Sequence, residues 1–150
     1  MPYTLNFHRL LRAPVGRVYK AWLDAGAQEK WLPPSGYLCK VHHLDAKEGG
    51  TFRMSFSEFD GGTSHSFGGT YKELKPNEKI VYTDRFDDPN LPGEITVTVV
   101  LKEVSNGTDM RITQAGVPDI IPEEMCNHGW QDSLKQLEQF VEMLVMPPKH

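Results

Sequence analysis

Pro122–Val145, PEEMCNHGWQDSLKQLEQFVEMLV, is the stretch whose reading decides the fold. It has no proline after Pro122, and its apolar residues Trp130, Leu134, Leu137, Val141 and Leu144 recur at spacings of four and three. That period puts them on one face of a helix. Pro147-Pro148 closes the segment. Twenty-four residues at about 1.5 Å each give a rod of roughly 36 Å, long enough to cross most of a sheet.

Upstream of this rod the periodicity is that of strands. Six segments read as strands: Tyr37–Leu44, Gly50–Phe59, Ser64–Leu74, Lys79–Phe86, Glu94–Val104 and Asp109–Ala115. Turn-forming residues separate them, among them Asp60-Gly61-Gly62, Lys75-Pro76-Asn77 and Asn106-Gly107. Asn-Gly is the strongest hairpin signal, because both residues tolerate positive φ. Such short connections favour antiparallel neighbours. At the N-terminus Thr4–Leu11 alternates as a seventh strand, and Ala13-Pro14 ends it. Val15, Val18, Tyr19 and Trp22 then form one helical stripe, and a short second helix over Ala25–Trp31 stops at Pro33-Pro34. The expectation is a single α+β domain over residues 1–150: a curved antiparallel seven-stranded sheet gripping a long C-terminal helix, with two short helices after the first strand.

A strand's period of two sorts the side chains of this sheet into faces. The core-facing set is Phe7, Arg9 and Leu11; Phe52, Met54 and Phe56; Phe67, Gly69 and Tyr71; Ile80, Tyr82, Asp84 and Phe86; Ile95, Val97, Val99 and Leu101; Met110, Ile112 and Gln114. Arg9, Asp84 and Gln114 break an otherwise apolar list. Buried polar groups are costly unless paired or watered, so these three either pair with one another or line a wet cavity. A curved sheet and a straight helix touch along a line, which leaves concave, mostly apolar space of the kind that takes small molecules. The alternative is a fully packed core in which the aromatic residues fill the gap.

Other chemistry finds little support. Adjacent strand residues His42 and His43 point to opposite faces, so they read as surface or edge residues rather than a metal pair. Glu124 and His128 lie four apart, but the pattern is not HExxH and a third ligand is missing. His128, near the helix start, reads either as a hydrogen-bonding group at the pocket mouth or as a solvent-facing residue. Trp31 is expected at the mouth and Trp22 in the core. No GxSxG elbow, GxGxxG loop or Walker lysine is present. Asp84 with Arg9 could serve acid–base chemistry, since burial raises a carboxyl pKa; a structural salt bridge or water-linked pair is the plainer reading.

Composition narrows the classes further. With 39% hydrophobic and 24% charged residues the chain has globular composition, and its net charge of −4 offers no broad positive field for nucleic acid. No apolar run approaches the roughly 20 residues of a membrane span. The N-terminal MPYTLNFHRLLRAP lacks the apolar core of a signal peptide, so a cytoplasmic location with Cys39 and Cys126 reduced is expected. No cofactor or metal site is expected.

Several stretches, taken together, resemble a known superfamily. They are Arg9-Leu10-Leu11-Arg12-Ala13-Pro14, Val18-Tyr19-Lys20-Ala21-Trp22 and Lys30-Trp31-Leu32-Pro33, then Gly49-Gly50-Thr51-Phe52-Arg53-Met54 and Gly69-Thr70-Tyr71-Lys72-Glu73-Leu74. Lys79-Ile80-Val81-Tyr82-Thr83 and His128-Gly129-Trp130-Gln131-Asp132-Ser133-Leu134 complete the set. In order and spacing, residues 4–145 resemble the START-like, or SRPBCC, superfamily, and within it the homologues of the activator of the heat-shock-protein-90 ATPase. The resemblance implies a helix-grip fold with a hydrophobic cavity between sheet and helix. It implies no universal catalytic set. No separate N-terminal domain like that of the full co-chaperone is seen, which weighs against a chaperone partner.

The leading expectation is therefore a protein that binds or carries a small hydrophobic ligand. Phe52, Met54, Phe56, Phe67, Tyr71, Tyr82 and Phe86 would form its walls, with Trp31 at the mouth and Trp130 on the helix. Arg9, Asp84, Gln114 and His128 would orient polar ligand groups. The alternatives are a cyclase- or hydrolase-type enzyme using the same cavity, and an interaction module stimulating a chaperone ATPase. Surplus apolar surface on an edge strand or the long helix would permit a homodimer.

Overall fold

The structure is a computed structural model in which residues 2–143 are described. Strand β1 (Tyr3–Leu11) leads into helices α1 (Val15–Leu23) and α2 (Ala25–Trp31). Six strands follow: β2 (Tyr37–Leu44), β3 (Thr51–Glu58), β4 (Ser64–Lys75), β5 (Lys79–Phe86), β6 (Ile95–Val104) and β7 (Gly107–Val117). Helix α3 covers Glu123–Met143. The expected helical positions Leu144 and Val145, and the closing Pro147-Pro148, lie outside the described residues.

The strands form one antiparallel sheet in the order β1-β7-β6-β5-β4-β3-β2. Six strands meander, and β1 returns to pair with β7, so that Phe7 sits opposite Ile112 and Leu5 opposite Gln114. This is the α+β helix-grip architecture. The local starts and stops have simple causes. Pro14 precedes α1 and accepts the first helical N–H bonds, from Arg17 and Val18. Asp24 caps α2 by accepting the Ala27 N–H at 2.9 Å.

Glycine at position 69 lets β4 and β5 approach closely. A Cβ there would stand 1.7 Å from the Thr83 carbonyl oxygen on the neighbouring strand, so no side chain fits. Gly107 has a related role that differs from expectation. The β6–β7 turn is centred on Ser105-Asn106, with Asn106 at φ 66°, while Gly107 already pairs with Val104 in the ladder. A Cβ at Gly107 would lie 2.0 Å from the Leu11 carbonyl oxygen. Close backbone approach therefore requires this glycine.

His42 and His43 lie at the surface as expected, though not by strict alternation to opposite faces. A bulge between Val41 and His43 breaks the alternation, and both imidazoles lie exposed. His42 bonds the Ser55 hydroxyl at 2.9 Å and His43 the Thr51 hydroxyl at 3.1 Å. Among the described residues, no group of three or more His, Cys, Asp or Glu assembles as a metal site, and no helix is long and apolar enough to cross a membrane.

The apolar interior divides in two. One cluster joins α1, α2 and α3 to β1, β6 and β7 through residues such as Val18, Trp22, Val99, Ile112, Leu134 and Leu137. The other, Phe52, Met54, Phe67 and Tyr71, belongs to β3 and β4. Leu32, Tyr82 and Phe86 are partly buried and touch both clusters. Incomplete closure between the clusters is what makes the site below.

Candidate functional site

A cavity of about 250 Å³ lies between the two clusters. Its floor is the inner face of the sheet: Phe52, Met54 and Phe56 from β3, Phe67 and Tyr71 from β4, Tyr82, Asp84 and Phe86 from β5, Val97 from β6 and Gln114 from β7. Its roof is α3, which contributes Met125, Cys126, Gly129, Trp130 and Ser133. Trp22, Gln28, Trp31, Leu32 and Pro34 close the side. Met125 is 66% exposed and His65 is exposed, so these two stand at the mouth.

The aromatic residues form a connected wall. Phe52 lies 5.6 Å from Tyr82 in a T-shaped pair and 5.4 Å from Tyr71; Tyr71 and Tyr82 are 6.2 Å apart. Phe67 bridges Phe56 at 4.9 Å and Phe86 at 6.3 Å. On the opposite side Trp22 contacts Trp31 at 4.8 Å and Trp130 at 6.3 Å. Ring pairs at these distances and tilts are favourable beyond simple area burial.

Eleven of the thirteen residues expected at a site are brought together here, all but Arg9 and His128. Arg9 has the expected inner-face parity but spans from β1 to α3, donating to the Gln131 side chain and, at 2.9 Å, to the His8 carbonyl. It pairs with neither Asp84 nor Gln114. His128 has a side chain 82% exposed, 3.9 Å from Asp132 on the outer side of the helix. It stands two residues from Trp130, roughly half a turn round, and so faces away. Trp31 is not at the mouth: it is fully buried, with its indole N–H donated to the Ala21 carbonyl at 2.9 Å.

The residues missed by sequence reading were partly legible. Cys126 is four residues before Trp130 and Ser133 three after it, so helical spacing alone places both near the inner face. Met125 and Gly129 form the adjoining row. Gln28 and Pro34 had no such signal, because packing sets the tilt of α2. Ser133 fixes that tilt by donating to the Leu32 carbonyl, and Gln136 by donating to the Trp31 carbonyl at 2.9 Å.

The polar lining is sparse. Gln114 is anchored, its Oε1 accepting the Trp130 indole N–H at 2.8 Å and the Cys126 thiol at 3.3 Å. Three other lining residues carry a buried side-chain atom without a partner: Trp22 Nε1, Gln28 Oε1 and Asp84 Oδ1. Burial lifts the Asp84 carboxyl from 3.8 to about 7, against the smaller opposing effect of the Arg85 backbone N–H. The residue as a whole is only half-buried, since part of it borders the cavity. Burial also raises Tyr71 to about 12, with Gln28 acting in the opposite sense, and pushes Tyr82 well up, helped by the nearby Asp84. The Cys126 thiol is raised by burial as well.

Residues 12–142 match the model of a family described as activator of Hsp90 ATPase homolog 1-like protein. A crystal structure of a protein from Chromobacterium violaceum is 54% identical with a TM-score of 0.92, over 95% of this chain and 99% of that one. A crystal structure from Nitrosomonas europaea is 23% identical with a TM-score of 0.81, over 95% and 96% of the two chains. The solution structure of an AHSA1-like protein from Aeromonas hydrophila is 20% identical with a TM-score of 0.78, over 98% and 97%. The last two speak for the fold alone. Among curated proteins none matches. The family match spans most of the sequence, and the chain belongs to the family of activator of Hsp90 ATPase homolog 1-like proteins.

Proposed function

We propose that the protein binds a small, mainly apolar molecule in the cavity between its sheet and α3. The observation carrying this reading is the concave wall of aromatic residues interrupted by a few polar atoms, the usual make-up of a ligand pocket. At about 250 Å³ the space is just below the roughly 300–1,000 Å³ of drug-sized sites, which favours a compact ligand over a sterol or long acyl chain. All three tryptophans of the chain line the cavity, so intrinsic fluorescence reports on occupancy. Titration with a panel of apolar molecules should give a saturable emission change and a raised Tm. Ligand at a hundred times Kd adds about 2.7 kcal/mol of stability. A panel without any binder, together with no mass co-purifying with the protein, would overturn the reading.

Family membership favours a second reading, a module acting on a chaperone ATPase. Adding the purified protein to such an ATPase separates the two: an unchanged rate and no complex would remove the second.

A further inference from the structure

Asp84 lines the cavity on the inner face of β5, two residues beyond Tyr82 and two before Phe86. Among the described residues no cation pairs with it, and its Oδ1 is buried without a partner. The lining contains neither lysine nor arginine. Arg9, the nearest candidate by face parity, is committed to Gln131 and the His8 carbonyl. A second acceptor, Gln28 Oε1, is also without a partner, while the Gln28 amide nitrogen is held by the Trp22 carbonyl and the side chain lies beside the Tyr71 hydroxyl. Tyr82, which feels the Asp84 charge, forms a triangle with Phe52 and Tyr71 on the same cavity wall, with ring centroids 5.4–6.2 Å apart.

A lone carboxylate beside a cluster of aromatic rings is matched chemically by a cation. The carboxylate supplies a charge-assisted hydrogen bond, and the ring faces attract positive charge. Buried acceptors left unmatched are costly, so a ligand that donates to them gains more than one that does not. An anionic ligand would instead meet a like charge with no counterion.

Resting on the binding reading above, we propose that the ligand is a compact aromatic amine, its ammonium group held by Asp84 and Gln28 against the rings of Phe52, Tyr71 and Tyr82. Trp22 Nε1, a buried donor of the lining without a partner, suits an ether or hydroxyl oxygen elsewhere on the same ligand. The shifted Asp84 carboxyl agrees with a site awaiting a positive charge, because a bound ammonium would return it to its ionised form. The other titratable groups of the lining are Tyr71, Tyr82, Cys126 and His65. The two tyrosines and Cys126 are shifted upward and stay neutral near pH 7.

A matched trio tests this: para-methoxyphenylethylamine, para-methoxyphenylethyl alcohol and para-methoxyphenylacetic acid, titrated by tryptophan fluorescence and calorimetry at about pH 8. The amine should bind about tenfold tighter than the alcohol, and the acid more weakly than either. Asp84→Asn should abolish the amine's advantage while the alcohol's Kd changes by less than about threefold. An alcohol or acid that matches the amine, or an amine preference that survives Asp84→Asn, would overturn the assignment. If none of the trio binds while uncharged molecules of the wider panel do, the amine assignment fails and the pocket stands. If nothing binds at all, both fail.

Discussion

Trp130 on α3 donates its indole N–H to Gln114 Oε1 on β7 at 2.8 Å. This bond fastens the helix to the sheet at the edge of the cavity, and the same Trp130 ring packs 5.6 Å from Phe7 on β1. Trp130→Phe keeps the ring contact and removes the bond, leaving Gln114 Oε1 with the weak Cys126 thiol donor. The variant should lose about 1–2 kcal/mol in urea unfolding. A larger loss would assign the effect to ring packing.

Stability should depend on pH through Asp84. Its carboxyl holds its proton up to about 7 in the folded protein, against 3.8 in the absence of burial. Between these values the folded state binds more protons than the unfolded one, so stability falls as pH rises. The contribution is fully present below about pH 4 and lost above about pH 7. Asp84→Asn removes this dependence. Its Tm should exceed that of the parent at about pH 8 and converge with it at low pH, a shift readable at about 2–4 °C per kcal/mol. Parallel curves for the two proteins across this range would refute the assignment.

Two glycines should behave oppositely. At Gly69 an added methyl collides with the Thr83 backbone, so Gly69→Ala should cost about 3 kcal/mol. At Gly129, within α3, a Cβ meets nothing within 4 Å. Gly129→Ala should therefore stabilise by about 1 kcal/mol, since alanine favours the helix. Thermal unfolding of the pair distinguishes steric demand from backbone flexibility.

His128→Ala should leave ligand affinity unchanged and stability within about 0.5 kcal/mol, because its side chain is exposed on the outer side of α3. Loss of binding in this variant, measured by the same fluorescence titration, would require α3 to rotate.

Cys39 offers a chemical test of the interior. Burial and the neighbouring Glu29 raise its thiol to about 12, leaving little thiolate near neutral pH. Its reaction with a disulfide reagent should be slow and should accelerate sharply in denaturant. Rapid reaction in the native protein would show that β2 opens locally.

Much of the fold is legible in one dimension because sheet and helix periods are local. Parity alone sorted Phe52, Met54, Tyr71, Ile80, Val97, Ile112 and Gln114 to the inside, and all are buried. It placed Asp84 among them, where its Oδ1 is indeed covered. Parity fails where the backbone departs from a regular strand, as at the His42-His43 bulge. The helix face was legible from Trp130 outward, since a spacing of four sets Cys126 beside it and a spacing of two sets His128 half a turn away.

The sequence by itself determined element order, the antiparallel meander, the inner face and the aromatic supply of the cavity walls. Each follows from turn chemistry and from residue spacing along the chain. Tertiary structure alone decided that Arg9 turns to Gln131 rather than Asp84, that Trp31 is sealed under α1, and that Trp22 Nε1, Gln28 Oε1 and Asp84 Oδ1 are each left without a partner. Those outcomes depend on how α2 and α3 seat against the sheet. That seating is fixed by contacts between residues about a hundred positions apart, such as Leu32 with Ser133, which no local pattern encodes.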